Sequence, residues 1–491
     1  MCFAGFRLDN SYARDLEGLY QPWQASTFPG LRNVQLNKDL ARQLGLDAAA
    51  LEGPQGAATL TGGPLLGGAA PLAMAYAGHQ FGGFSPSLGD GRAVLLGEHL
   101  APDGTRWDIH LKGSGRTPYS RNGDGKAALG PMLREFLISE AMAALGVPTT
   151  RALAVVATGE EIQRTGPVQG AILVRVAASH LRVGTFQYFA ARGEQDKLQR
   201  LADFTLARHF PDLVGQPGCY LSLLERVGDV QAHLIAHWML VGFVHGVMNT
   251  DNVALSGETI DYGPCAFMDD YDPKTVFSSI DTQGRYAYAN QPRIGQWNLA
   301  RFAETLIERI SPDDSDEGIR QATRVVNAFP AQYEKAWLAG MQRKLGWTTE
   351  QAQDLELANG LFAAMHGQQV DFTLFFRNLA LAVAGDDSAV LALFNDTDGI
   401  VAWLELWRAR CALEPISAPE RMDAMNQINP VYIPRNHLVE EALVAATAGD
   451  PAPFEQLLKL LQHPFDAQPN TARYQRPEAT TTLGYRTYCG T

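Results

Sequence analysis

The sequence predicts an α/β (strictly α+β) fold in two unequal parts, strand-rich first and helical afterwards. Three observations predict it. Residues 92–177 read strand, strand, loop, helix, strand, strand. Helical periodicity dominates from Asp196 onward. The 491 residues are 46% hydrophobic and 19% charged, a globular composition with enough apolar side chain to bury large cores.

Residues 1–75 read as an N-terminal extension, an arm on the first lobe. Asn37 caps a short helix through Leu44, which Gly45 ends. Gly53–Pro71 is rich in Gly, Ala and Pro and reads as loop. Residues 76–180 form the strand-rich lobe. Arg92–Leu100 is a strand, and Pro102-Asp103-Gly104 is a turn. In Arg106–Lys112, Trp107, Ile109 and Leu111 alternate with Asp108, His110 and Lys112, as on a half-buried strand. The two strands make a hairpin. Gly113–Gly130 is a polar, Gly-rich loop, and Leu129–Leu145 is a helix closed by Gly146 and Pro148. Strands follow at Leu153–Ala157 and Ala171–Ala177.

Residues 181–465 form the helical lobe. A helix at Asp229–Val244 runs into His245-Gly246. Val253–Ser256 and Thr259–Tyr262 read as a hairpin across Gly257-Glu258. Helices are expected at 297–310, 314–328, 331–345, 349–365, 372–384 and 436–448, the last with Asn436 as its N-cap. Residues 466–491 read as a polar, extended tail carrying Cys489.

Lys and Arg number 40 and Asp and Glu 53, a net charge of −13 that argues against nucleic-acid or anionic-membrane partners. A local basic pocket stays compatible with it. Five cysteines (Cys2, Cys219, Cys265, Cys411, Cys489) are scattered, with no CxxC pair and no zinc spacing. Met1–Tyr20 carries Arg7, Asp9, Arg14, Asp15 and Glu17, and lacks the apolar run of a leader peptide. The longest apolar stretch, Leu234–Val244, is too short to cross a bilayer. A soluble, cytoplasmic protein is expected.

The chemistry concentrates in His245-Gly-Val-Met-Asn-Thr-Asp-Asn252 and Asp261-Tyr-Gly263. Asn252 and Asp261 offer hard oxygen ligands of the kind that hold Mg²⁺ on nucleotide phosphates. A lone Asn–Asp pair is more often a pair of Asx turns. Here the pattern runs over 19 residues, which favours the metal reading. The segment resembles the catalytic loop and metal motif of protein and aminoglycoside-type kinases, and so implies a kinase-like bilobal fold. Aligning His245 and Asn252 with that pattern puts Val247 where the base Asp belongs, and valine accepts no proton. An extra carboxylate, Asp251, stands beside Asn252.

Upstream, Lys112 ends a strand before a helix carrying Glu135 and Glu140, and a strand Lys paired with a helix Glu is how kinases hold phosphates. Periodicity does not choose between the two glutamates. No G-x-G-x-x-G precedes Lys112. Gly89-Asp-Gly91-Arg92 stands there instead, a tight backbone turn. Arg116, Arg121, Asp124, Gly125 and Lys126 follow in the Gly-rich loop, then Arg175 and Arg182. Arginine forks suit phosphate, although a surface ion pair is the commoner role for any single one.

Together the motifs resemble the selenoprotein O family of kinase-fold protein adenylyltransferases. The resemblance covers nearly the whole chain. It rests on Asn10–Arg14, Tyr76-Ala-Gly-His-Gln-Phe-Gly-Gly83, Leu88–Arg92, Leu111–Arg121, His245–Asn252, Asp281–Arg285 and Tyr488-Cys-Gly-Thr491. It implies ATP bound flipped relative to kinases, with AMP transferred to Ser, Thr or Tyr of protein substrates. It also implies UMP transfer from UTP as a bacterial variant. Carried over, the nucleotide site is Gly89, Gly91, Arg92, Lys112, Asp124, Gly125, Arg175, Arg182 and Asp261. Asn252 and Asp261 take Mg²⁺ or Mn²⁺, and Asp251 is the proton acceptor. A redox-sensitive Cys265–Cys489 bridge is a further expectation. A small-molecule kinase and a catalytically inactive nucleotide-binding pseudokinase stand as alternatives.

Overall fold

A computed structural model describes residues 3–63, 66–478 and 485–487. The first part is built on a twisted sheet whose order is Tyr20–Pro22, Leu72–Met74, Ala93–Leu100, Arg106–Lys112, Pro167–Ala177, Arg151–Gln163 and Arg32–Leu36. Every pairing along it is antiparallel. The segment read as an arm supplies three of these strands. The loop read at 53–71 contains a helix, Pro54–Leu60, with proline in the first turn. Ala57 and Leu60 are buried in one core with Leu51, and that burial outweighs the local glycines.

Strand alternation sorts the sheet's two faces. Val94, Leu96, Ile109, Leu111, Ile172, Val174 and Val176 join a core with the N-terminal helices. Leu95, Val155, Ala171 and Leu173 face the other way, onto the helix Leu129–Ala144 and the rest of the molecule. The strand Arg106–Lys112 departs from the half-buried expectation. Asp108, His110 and Lys112 are all buried, because their face is roofed by the second part rather than by water.

The second part is helical. Its two longest helices, Cys219–Leu240 and Ser315–Lys344, pack along each other. The first ends at Leu240, and Phe243–Val244 is instead a short strand paired with Ala266–Phe267. The second runs unbroken through Pro330, where two helices were expected. Losing one hydrogen bond there is offset by burial of Phe329 and the apolar side chains around it. The expected hairpin over 253–262 does not pair with itself. Ala254 bridges to Arg182 and Thr259 to Thr149, so each half is partnered from upstream in the chain and not by the other half. Asn436 is the first helical residue and not the cap. Its side chain donates to the Phe267 carbonyl at 3.1 Å. Among the described residues no helix is long and apolar enough to cross a membrane.

Candidate active site

Register places the cations first. Arg175 lies opposite His110, and Leu173 opposite Lys112, so alternation puts Arg175, His110 and Lys112 on one face. The Lys112 ammonium, itself buried, is bound by the carboxylates of both Glu135 and Asp261. Glu140 goes elsewhere. It accepts from Arg151 at 2.6 and 2.8 Å and from the Ala152 amide at 3.2 Å. The choice that periodicity left open is made by the direction in which the helix Leu129–Ala144 crosses the sheet.

Asp261 adopts φ +70, a conformation costing a non-glycine residue about 1–2 kcal/mol. Burial pushes its carboxyl up. Lys112, Arg175 and Arg92 more than reverse this and hold it well below the usual carboxylate range. The loop before it is tied down from inside. His245 shares a hydrogen bond with the Ile260 carbonyl at 2.9 Å, and Asn252 donates to the Val247 carbonyl at 3.1 Å. Val247 is a buried apolar residue of this loop. Asp251 is buried as well, which pushes its carboxyl up to about 6 despite a hydrogen bond from Gln80 and the charge of Arg182.

One cavity of about 570 Å³ gathers Gly89, Gly91, Arg92, Lys112, Asp124, Gly125, Arg175, Arg182, Asp251, Asn252 and Asp261. Among the described residues seven Arg and Lys side chains line it against four carboxylates, a local reversal of the chain's acidic balance. Arg92 and Arg175 form no ion pair among the described residues and leave their charge to the cavity. Arg182 donates to the Asp251 carbonyl at 2.9 Å and lies 4.5 Å over the Tyr76 ring. Gly89 has φ +64, and a Cβ there would sit 2.2 Å from the Tyr119 ring. Gly125 has φ +71, with a Cβ position 2.2 Å from the Gly115 carbonyl carbon. Asp124 is a rim residue that binds the Lys126 amide and Arg164, both at 2.9 Å. Lys126 has the surface role weighed for it, pairing with Glu160 at 2.8 Å.

The sequence model of a family described as Protein adenylyltransferase SelO matches residues 6–462. The chain belongs to the SelO family. It is 56% identical over 485 residues to a protein nucleotidyltransferase YdiU of Mycobacterium sp. (strain KMS), covering 99% of each chain. It is 55% identical over 488 residues to the protein of that name from Cereibacter sphaeroides (strain KD131 / KCTC 12085), covering 99% of this chain and 100% of the relative. The same name belongs to a relative from Bradyrhizobium sp. (strain BTAi1 / ATCC BAA-1182), 54% identical over 488 residues with 99% of each covered. The selenoprotein O resemblance of the motifs thus extends to the chain as a whole, as does the expectation of a nucleotidyltransferase.

The oxygens of this SelO-family chain fit a divalent cation. The Asn252 amide nitrogen is used inward, which leaves its oxygen free. Asp261 gives one oxygen to Lys112, and its other takes no hydrogen bond among the described residues. Two protein oxygens suit an ion whose remaining ligands are phosphates and water.

Several cavity residues escaped the sequence reading. Asp90 is buried and pushed up to about 6 by that burial, against the charge of Arg182. It lies 3.2 Å from His110, which stacks on His180 at 4.2 Å. His180 in turn meets Asp108 at 3.1 Å, and Asp108 meets Arg208 at 2.9 Å. The polar alternation of Asp108, His110 and Lys112 is the available signal, although alternation alone predicts no more than a half-buried strand. Gln80, Tyr76 and Arg164 also line the cavity. Cys265 is fully buried, and burial pushes its thiol up to about 12. Its expected partner Cys489 lies outside the described residues. Thr487, two residues earlier, donates to the Pro264 carbonyl at 2.6 Å, so the tail passes beside Cys265.

Proposed function

We propose that the chain transfers AMP from ATP to a hydroxyl of a protein substrate, with the nucleotide flipped relative to kinases. The observation that carries this is the position of the carboxylates. The kinase base position is an apolar Val247, whereas Asp251 lines the same cavity as Lys112, Arg175 and Asp261. In a flipped nucleotide the α-phosphate faces the acceptor and the terminal phosphates lie deep among the arginines.

The acceptor oxygen attacks the α-phosphorus, the bond between the α-phosphorus and the bridging oxygen breaks, and pyrophosphate leaves. The acceptor proton goes to Asp251. A carboxyl held near pH 6 is close enough to neutrality to be deprotonated before the step and to accept in it. Arg92, Lys112, Arg175 and Arg182 bind and orient the triphosphate. Gly89, Gly91 and Gly125 let backbone approach it, and Asp124 sits at the rim. Asn252 and Asp261 would hold Mg²⁺ or Mn²⁺, which supplies charge neutralisation at the phosphates.

The test is incubation of the protein and a whole-cell protein extract with α-labelled or γ-labelled ATP. Protein-bound label from the α position alone, with a mass increment of AMP, supports the reading. Label from the γ position supports a kinase, and no label supports a nucleotide-binding scaffold. α-Labelled UTP in the same assay asks whether UMP is also transferred.

A further inference from the structure

We infer that Gln80 is a positioning residue for the Asp251 carboxylate, delivered by the hairpin Gly78–Ser85. This rests on Asp251 as proton acceptor, proposed above. The strands Gly78–Gln80 and Gly83–Ser85 form a two-stranded sheet separate from the main one. A hairpin this short is not stable by itself. It is held by the catalytic loop, some 170 residues later in the chain.

Three successive hairpin residues grip three successive loop residues. The His79 amide donates to Thr250 Oγ1 at 2.7 Å. The Gln80 side-chain amide donates to Asp251 Oδ2 at 3.1 Å. The Phe81 amide donates to Asn249 Oδ1 at 3.1 Å. Two of the three are braced from behind. Thr250 donates to Gln187 Oε1 at 2.6 Å, and the other end of that amide meets the His79 ring at 2.9 Å. Tyr286 donates to Asn249 Oδ1 at 2.7 Å.

The consequence falls on the two Asp251 oxygens. Oδ2 is fixed by Gln80. Oδ1 is buried and has no hydrogen-bond partner among the described residues. A carboxylate rotates freely about its last side-chain bond unless a donor holds one oxygen. With Oδ2 held by Gln80 and Oδ1 packed against Gly78, the carboxylate is kept in a single orientation at the cavity. Gly78 closes the other side. A Cβ there would stand 2.3 Å from Oδ1, so a residue with a side chain would push the carboxylate away. Only glycine lets the hairpin come this close.

The test compares initial rates of label transfer from α-labelled ATP to a whole-cell protein extract. Gln80→Leu removes the donor on a part-exposed hairpin residue. Its kcat is expected to fall about 10²-fold, the scale of a displaced catalytic group, with KM for ATP unchanged and the melting temperature lowered by no more than a few degrees. In an Asp251→Asn background, Gln80→Leu should cost nothing further. A wild-type kcat in Gln80→Leu overturns the inference, as does a full additional loss in the double variant. Gly78→Ala perturbs the same carboxylate without touching Gln80. It should reproduce the kcat loss and be non-additive with Gln80→Leu, and a wild-type rate there also overturns the inference. If Asp251→Asn alone transfers at the wild-type rate, the proton-acceptor reading has failed first and the positioning role falls with it.

Discussion

Asp251→Asn should make the protein gain stability relative to its parent as pH rises and leave it nearly inactive at the same time. Asparagine keeps the shape, and its oxygen still accepts from Gln80 as Asp251 Oδ2 does. What it removes is the charge, while its amide nitrogen, standing where Oδ1 has no partner, gives back ~1–3 kcal/mol of the gain at every pH. Burial raises the Asp251 carboxyl from its ordinary 3.8 to about 6. About two decades of proton affinity, at ~1.4 kcal/mol per decade, come to about 3 kcal/mol. The sign is unfavourable to folding. A raised carboxyl binds its proton more tightly in the folded state, so stability is lost as pH climbs from near 4 to near 6 and stays lost above it. The variant lacks that loss. Its stability relative to the parent should therefore rise between pH 4 and pH 6 and level off above 7, a change of up to ~3 kcal/mol, or a few degrees in Tm.

At pH 7.5 transfer by the variant should be ~10²–10⁴-fold below the parent's, the usual worth of a general base, with ATP affinity kept within a few-fold. The assays are thermal unfolding of nucleotide-free protein in chelator across pH 4–8, and transfer from α-labelled ATP at pH 7.5. Wild-type transfer would remove Asp251 from the chemistry. A stability difference between variant and parent that does not change between pH 4 and pH 6 would mean that the carboxyl is not withheld from water.

Asp261→Ala should abolish transfer and remove the metal dependence of ATP binding, measured by calorimetry with and without Mg²⁺. Retention of that dependence would separate Asp261 from the metal. Glu135→Gln should weaken ATP binding, because Lys112 loses one of its two carboxylates. Glu140→Gln should leave ATP binding alone and cost about 2–3 kcal/mol in urea unfolding, since the buried Glu140 serves Arg151 and the Ala152 amide. Val247→Asp should create no γ-phosphoryl transfer, and γ-label on protein from that variant would refute the flipped nucleotide.

Much of the candidate site is legible in the sequence because its parts are local. The span from His245 to Gly263 states its loop, its oxygens and its missing base within 19 residues. Alternation in Arg106–Lys112 aligned His110 with Lys112 before any partner strand was known. The β-β-loop-α-β-β order needed only turns, periodicity and a glycine closing a helix. Such features depend on neighbours a few residues apart, which a sequence displays directly.

Only the tertiary structure decided the rest, because each remaining question turned on partners far away in the chain. Lys112 takes Glu135 rather than Glu140 through the crossing of a helix over a sheet. The polar face at Asp108, His110 and Lys112 is interior because a distant helical part covers it. Pro330 sits inside a helix, and residues 54–60 form one, because burial outweighs local propensity. Gln80 reaches Asp251 across 171 positions. Hydrophobic burial and side-chain hydrogen bonds act on distance in space, and chain order carries that information only where the fold keeps neighbours together.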